Sequence, residues 1–243
     1  MAIPRPRRSP RPARLARLLL ASVLAVSAGL VVAAPEHGAH AQTAQPAPAA
    51  QTTAMVQKVQ AFYDKTTSFQ SAFKQEYFVK SHNLRKESNG SVTFAKPGKM
   101  DWQYATPAGN RVVSDGAVLK VYEAANKQMF EQPVDKSQYP AALAFLVGGG
   151  KLGDVFDFQM FPGASMSFPG GDVLVGTPKQ PTPAYTKVLF YVDTASAQVR
   201  RVLIVDGQGN RNRFDFENPK VNVPVTEDRF KFNPPPGTQI IKP

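Results

Sequence analysis

Cysteine is absent from the 243 residues. That excludes disulfide bridges, thiolate nucleophiles and sulfur-based zinc sites. It also excludes a chain anchored through a lipid-modified N-terminal cysteine. Histidine is scarce. His37 and His40 lie in the first 41 residues, and His82 stands alone beyond them. It sits in a polar stretch between Lys80 and Lys86, and an exposed loop histidine is its plain reading. One histidine without cysteine gives no nucleophile–base–acid set and no metal cluster. Neither a cofactor nor a metal is expected, and the chain reads as a non-enzyme.

Long apolar runs are also missing. The longest uncharged apolar run, residues 18–34, has 17 residues, short of the ~20 that span a bilayer. It follows a basic start holding Arg5, Arg7, Arg8, Arg11, Arg14 and Arg17. Ala39-His40-Ala41 then offers a small-x-small cleavage site, with Val31-Val32-Ala33 as a second. This is the layout of a secretory signal peptide over 1–41, the alternative being a retained anchor. Arg7-Arg8 lacks the following residues of a twin-arginine signal. Export predicts a periplasmic chain that starts near Gln42 and is kept from nucleic acid. The remaining 202 residues suit one domain, burying roughly 70% of the unfolded surface. The leader's six arginines and Glu36 carry +5 of the net +11, leaving +6 on the rest. A soluble basic surface is the plain reading; attraction to anionic head groups or an acidic partner is the functional one.

Residues 42–51 are Gln, Thr, Ala and Pro, a composition too polar to pack, and read as a flexible arm. Met55, Val56, Val59, Phe62 and Tyr63 recur at three and four, predicting a helix over 52–65 capped by Thr52 or Thr53. Strand patterns follow near 68–80, 89–95, 99–105, 110–114, 117–123, 127–133, 155–161, 172–177, 186–193, 198–206 and 211–218. Turns such as Pro97-Gly98, Asp115-Gly116 and Asp206-Gly207 separate them, which predicts antiparallel neighbours in one long meander. One apolar segment, 139–150, opens near Pro140, stops at Gly148-Gly149-Gly150 and predicts a second helix. Met100, Trp102 and Tyr104 share one strand face; Lys99, Asp101 and Gln103 share the other. A curved sheet with two helices on its concave side satisfies these patterns. The tail after Phe230 reads as a short turn and an extended exit.

Paired carboxylates are the remaining route to chemistry. Asp154 with Asp157 is one pair. Asp215 with Glu217 alternates with Phe214 and Phe216, the pattern of a strand's wet face. Gly148-Gly149-Gly150-Lys151 lacks the spacing of a phosphate loop and reads as a helix stop. What stands out is the apolar inventory: 16 Phe, seven Tyr and six Met. Each residue alone fits an ordinary core. Together, on almost every strand of a single sheet, they suit a soft cavity for flexible hydrocarbon.

Three blocks then carry a resemblance. They are Phe69-Gln-Ser-Ala-Phe73; Phe94-Ala-Lys96-Pro97-Gly-Lys-Met100-Asp-Trp102-Gln-Tyr104; and Val112-Val-Ser114-Asp115-Gly116. With Phe232-Asn-Pro-Pro-Pro-Gly237 at the end, their order resembles the LolA family of periplasmic lipoprotein carriers. The resemblance implies a mainly β fold with a few helices, an incomplete antiparallel β-barrel. It is a strongly curved sheet of eleven expected strands with a helical lid on its concave side, forming a single carrier domain over 52–243. It implies a monomer that takes lipoprotein acyl chains from an inner-membrane ABC transporter of the Lol type and hands them to an outer-membrane acceptor. Met100, Trp102, Leu119, Val121, Phe130, Leu143 and Phe145 are the expected acyl-chain surface, with Met100 at a partly wet mouth. Lys96 stands where the best-known members have arginine and is the expected latch to the carbonyls of the 139–150 helix. Lysine has one point charge and no planar fork, so its grip is weaker. Two rivals stay open: a lipid- or lipoprotein-sensing regulatory domain of the same fold, and a secreted β-fold hydrolase.

Overall fold

The computed structural model describes residues 45–134 and 150–242. Helix α1 (Ala49–Asp64) buries Thr52, Met55, Val59 and Tyr63, a stripe at steps of three and four. It starts before the predicted Thr52 cap. Pro48 occupies the cap position, and the Thr52 hydroxyl donates back to the Pro48 carbonyl at 3.3 Å. Alternating strands follow: β1 (Ser68–Val79), β2 (Leu84–Ala95), β3 (Lys99–Thr106), β4 (Arg111–Asp115), β5 (Val118–Glu123) and β6 (Gln128–Pro133). A one-turn helix α2 (Leu152–Val155) leads into β7 (Phe156–Pro162), β8 (Gly171–Pro178), β9 (Lys187–Asp193), β10 (Val199–Val205) and β11 (Arg211–Val221). A short β12 (Gln239–Ile241) ends the fold. The predicted second helix over 139–150 lies outside the described residues. Among those described, no helix is long and apolar enough to cross a membrane.

All twelve strands form one curved sheet, in the order β12-β6-β5-β4-β3-β2-β1-β11-β10-β9-β8-β7. The expected single meander is therefore two. β1 to β6 form one, β7 to β11 the other, and the seam is the antiparallel pair β1·β11 with Phe73 opposite Phe216. Hairpin turns dictate local pairing. The seam is set by aromatic faces that must share one interior, with Phe69 against Phe216 at 5.4 Å.

The inner face and α1 bury one continuous core. It includes Met55, Val59 and Tyr63 of the helix and Phe69, Phe94, Trp102, Leu174, Phe190, Val202 and Phe214 of the sheet. Gly90 marks where the layers are tightest. A Cβ there would stand 1.9 Å from the Gln103 carbonyl oxygen and 3.0 Å from the Phe73 ring.

The outer face of β3 to β5 is not wet. The tail crosses it, so the reading of an extended exit is corrected. A 3-10 turn at Glu227–Phe230 buries Phe230. Phe232 then stacks against Tyr122 at 5.4 Å and lies beneath the Arg111 guanidinium. Finally β12 pairs parallel with β6. Asp101, on the face opposite Met100 and Trp102, is fully buried under this strap. Its carboxylate meets Arg111 Nε and Arg229 Nε, each at 2.7 Å, and accepts from Gln103 Nε2 at 2.8 Å. A buried charge is tolerated when paired and hydrogen-bonded in this way.

Candidate binding site

Trp102 is the centre of the inner face. It is fully buried, and alternation along β3 aims it at the concave side with Met100. Phe73 meets it edge-on at 4.8 Å, Phe214 at 5.2 Å and Phe94 at 5.7 Å. Such T-shaped pairs are favourable ring geometry. Among the described residues the indole Nε1 has no hydrogen-bond partner.

The other predicted residues fall in two groups. Met100 and Leu119 are buried in the same core, 6% and 1% exposed. Met100 is thus a packed residue and not a wet mouth: Phe94 is its partner on β2 and Ser114 on β4. Val121 is half-buried and packs against the core. Phe130 lies directly opposite it on β6, hence on the same face, and is 40% exposed. The inner face therefore runs from a closed centre at Trp102 to a partly open apolar margin at Val121 and Phe130. Leu143 and Phe145 lie outside the described residues.

Lys96 reaches a helix C-terminus, but it is that of α1. Its Nζ donates to the Tyr63 carbonyl at 2.5 Å and to the Asp64 carbonyl at 3.4 Å. Terminal carbonyls lack intrahelical partners and carry partial negative charge, so a cation there is favoured by ~0.3–1 kcal/mol. The other end of the expected contact, the 139–150 segment, is not among the described residues. The same turn of α1 is tied down from inside. The buried Tyr63 hydroxyl accepts the Val199 backbone N–H at 3.1 Å, and burial pushes its phenol well above the usual range. Sequence patterning marked Tyr63 only as apolar stripe. Its polar role needs Val199, which sits beside a register shift in β10 that the sequence does not announce.

The groups considered for chemistry have other work. Asp215 pairs with Arg201 and, at 2.9 Å, with Arg213; Glu217 pairs with Lys74 at 2.7 Å. They are the outer face of β11, as alternation predicts. Asp157 stands 3.9 Å from Lys179. His82 is exposed in the turn between β1 and β2, hydrogen-bonded to Ser81. Among the described residues no three His, Cys, Asp or Glu side chains gather as a metal site. A 480 Å³ groove on the outer face is walled by Lys74, Arg201, Asp215 and Glu217, a lining too charged for hydrocarbon. What the arrangement offers is an apolar surface with an open margin.

Comparison with known proteins agrees in kind. Residues 64–233 match the family model described as outer membrane lipoprotein carrier protein LolA. An outer-membrane lipoprotein carrier protein of Alkalilimnicola ehrlichii is 28% identical over 183 residues, 74% of this chain and 80% of that protein. One from Bordetella avium is 26% identical over 185 residues, 76% and 86% of the two chains. Among solved structures, an uncharacterized conserved protein from Thermus thermophilus superposes with a TM-score of 0.49 at 13% identity. It covers 79% of this chain and 99% of that one. A LolA superfamily protein from Nitrosomonas europaea gives 0.43 at 13% identity, covering 74% and 97%.

Proposed function

The chain belongs to the LolA family, and on that premise we propose that it is a periplasmic carrier of lipoproteins that shelters their acyl chains on the inner face of the sheet. The observation that carries this reading is the continuous apolar surface from Trp102 to the half-exposed Phe130. In this reading the leader over 1–41 directs export. An inner-membrane ABC transporter supplies cargo and energy, and an outer-membrane acceptor removes the cargo. The carrier makes and breaks no bond.

Magnitudes say why the surface is only partly open. Burying an acyl chain is worth ~0.8 kcal/mol per CH₂, so ~15 methylenes fully sheltered give on the order of 12 kcal/mol. A carrier holding several chains that tightly would not release them. A margin at Val121 and Phe130 that leaves part of each chain wet keeps affinity within an acceptor's reach. Lys96 at the end of α1 is then the latch on the helix covering this face, weak enough for cargo to displace.

The test is native mass spectrometry of the protein purified from a Gram-negative periplasm during lipoprotein synthesis. The expected spectrum contains a one-to-one adduct with triacylated lipoprotein. Protein that is always free of lipoprotein, even when its handover is blocked, contradicts the proposal.

A further inference from the structure

The hairpin of β1 and β2 outruns its neighbour. β1 pairs with β2 as far as Val79 opposite Leu84. β3 pairs with β2 only from Asn89, opposite Thr106. Among the described residues, 84–88 of β2 thus has one hydrogen-bonded edge and one open edge. Leu84, Arg85, Lys86 and Glu87 are all exposed. Five residues give about 17 Å of edge, the length of an ordinary strand. Open edges present unpaired N–H and C=O groups and accept an added strand.

The edge is continuous with the candidate cargo surface. The β1·β2 register runs without a break, so alternation from buried Val92 and Phe94 places Leu84, Lys86 and Ser88 on the inner side. The track runs from Trp102 to Phe73, then to Tyr104 at 5.2 Å from Phe73, and on to half-buried Tyr77 and Val79. It ends at Leu84, 45% exposed. An apolar face therefore grades into a polar, backbone-rich rim.

We propose that this open edge of β2 binds the polypeptide directly following the acylated cysteine of the cargo, as an extra strand. The proposal rests on the carrier reading above. Cargo lipoproteins share an acylated cysteine but need share no sequence after it. Main-chain pairing is the recognition mode that ignores side chains, which fits a carrier of many cargoes. Lys86, which makes no ion pair among the described residues, adds attraction for acidic linker residues.

Backbone amide exchange measured by NMR on the full carrier tests this. It is compared free, loaded with a triacylated cysteinyl octapeptide, and loaded with triacylated cysteine amide lacking the peptide. Emission of Trp102 reports acyl loading in every sample. Slowing of exchange within 84–88 by about tenfold or more with the lipopeptide alone is the expected result. A lipopeptide N-methylated at every peptide residue should load equally and lose that slowing. Equal exchange with both ligands, while Trp102 reports loading by both, overturns the strand addition and leaves the carrier reading intact. No Trp102 response to either ligand ends both. Slowing caused by phosphatidylglycerol vesicles and not by lipopeptide would assign the edge to a membrane surface and overturn the proposal.

Discussion

Replacing Asp101 with asparagine should destabilise the protein by about 3 kcal/mol, and the loss should appear first in the tail. The carboxylate is fully buried and faces two guanidinium groups at 2.7 Å. Removing one member of a buried ion pair costs roughly 3–5 kcal/mol because its partners keep their charge. Two corrections pull in opposite directions. The side chains of Arg111 and Arg229 are 20% and 38% exposed, so water offsets part of their loss. Asparagine, however, has one acceptor oxygen and an NH₂ group. That group would point its hydrogens at an arginine N–H, which raises the cost. With a urea slope of about 2 kcal/mol/M, the midpoint should fall by about 1.5 M. Arg111 also donates to the Arg229 carbonyl at 2.9 Å, so the strap at 227–232 and β12 should lose amide protection before the sheet does. A double-mutant cycle with Arg229→Gln should show a coupling of 1 kcal/mol or more, by about that order. A single-mutant effect below about 0.5 kcal/mol, the size of an ordinary surface change, would refute the idea that this carboxylate pins the tail.

Three further outcomes follow from the same geometry. Met100→Glu should lower stability by about 3 kcal/mol or more, since it removes a packed side chain and puts a carboxylate in an apolar site; unchanged urea unfolding would show that the position is wet after all. Lys96→Leu should leave the sheet's circular dichroism intact and speed amide exchange in the last turn of α1. It should also slow cargo handover; an unchanged last turn would remove Lys96 from any latch. Asp115 accepts the Val118 and Ala117 N–H groups, each at 2.9 Å, which holds its carboxyl below the usual range. Because the folded value is depressed, its contribution is present above the unfolded pKa of ~3.9 and is lost as pH falls through the folded value. Asp115→Ala should cost about 1 kcal/mol at pH 7 and progressively less below pH ~3.9, and a pH-independent difference in urea titrations would contradict that cause.

Much of this fold is legible along the chain. Eleven strands announce themselves because apolar alternation and Gly, Asp or Pro turns act over a few residues. Their order in the sheet does not. The seam pairs Phe73 with Phe216, and no local pattern on either strand names the other. Asp101 shows the same limit. Alternation puts it on the correct face, but the cover comes from Arg229 and Phe230, far along the sequence. The tail reads as an extended exit because its prolines suit an extended chain, and only the β6 edge turns Gln239–Ile241 into a strand. Of the candidate site, alternation places Met100, Trp102, Leu119 and Val121 on one face. It does not say how buried each is, so Met100 reads as a mouth when it is core and Phe130 is the exposed member.

Trp102 is the chain's one tryptophan, which makes its emission a report from the centre of the inner face alone. The decisive measurement is quenching of that emission by triacylated lipopeptides brominated at successive positions along the acyl chain. Bromine quenches only within near-contact distance. Acyl chains held on the inner face should give saturable quenching that depends on bromine position and is competed away by unbrominated lipopeptide. Val121→Glu should weaken it by at least about tenfold, the cost of a charge against hydrocarbon. Lipopeptide that binds the protein with Trp102 emission unaffected by bromine at every position would place the acyl chains elsewhere and rule out the inner face as their shelter.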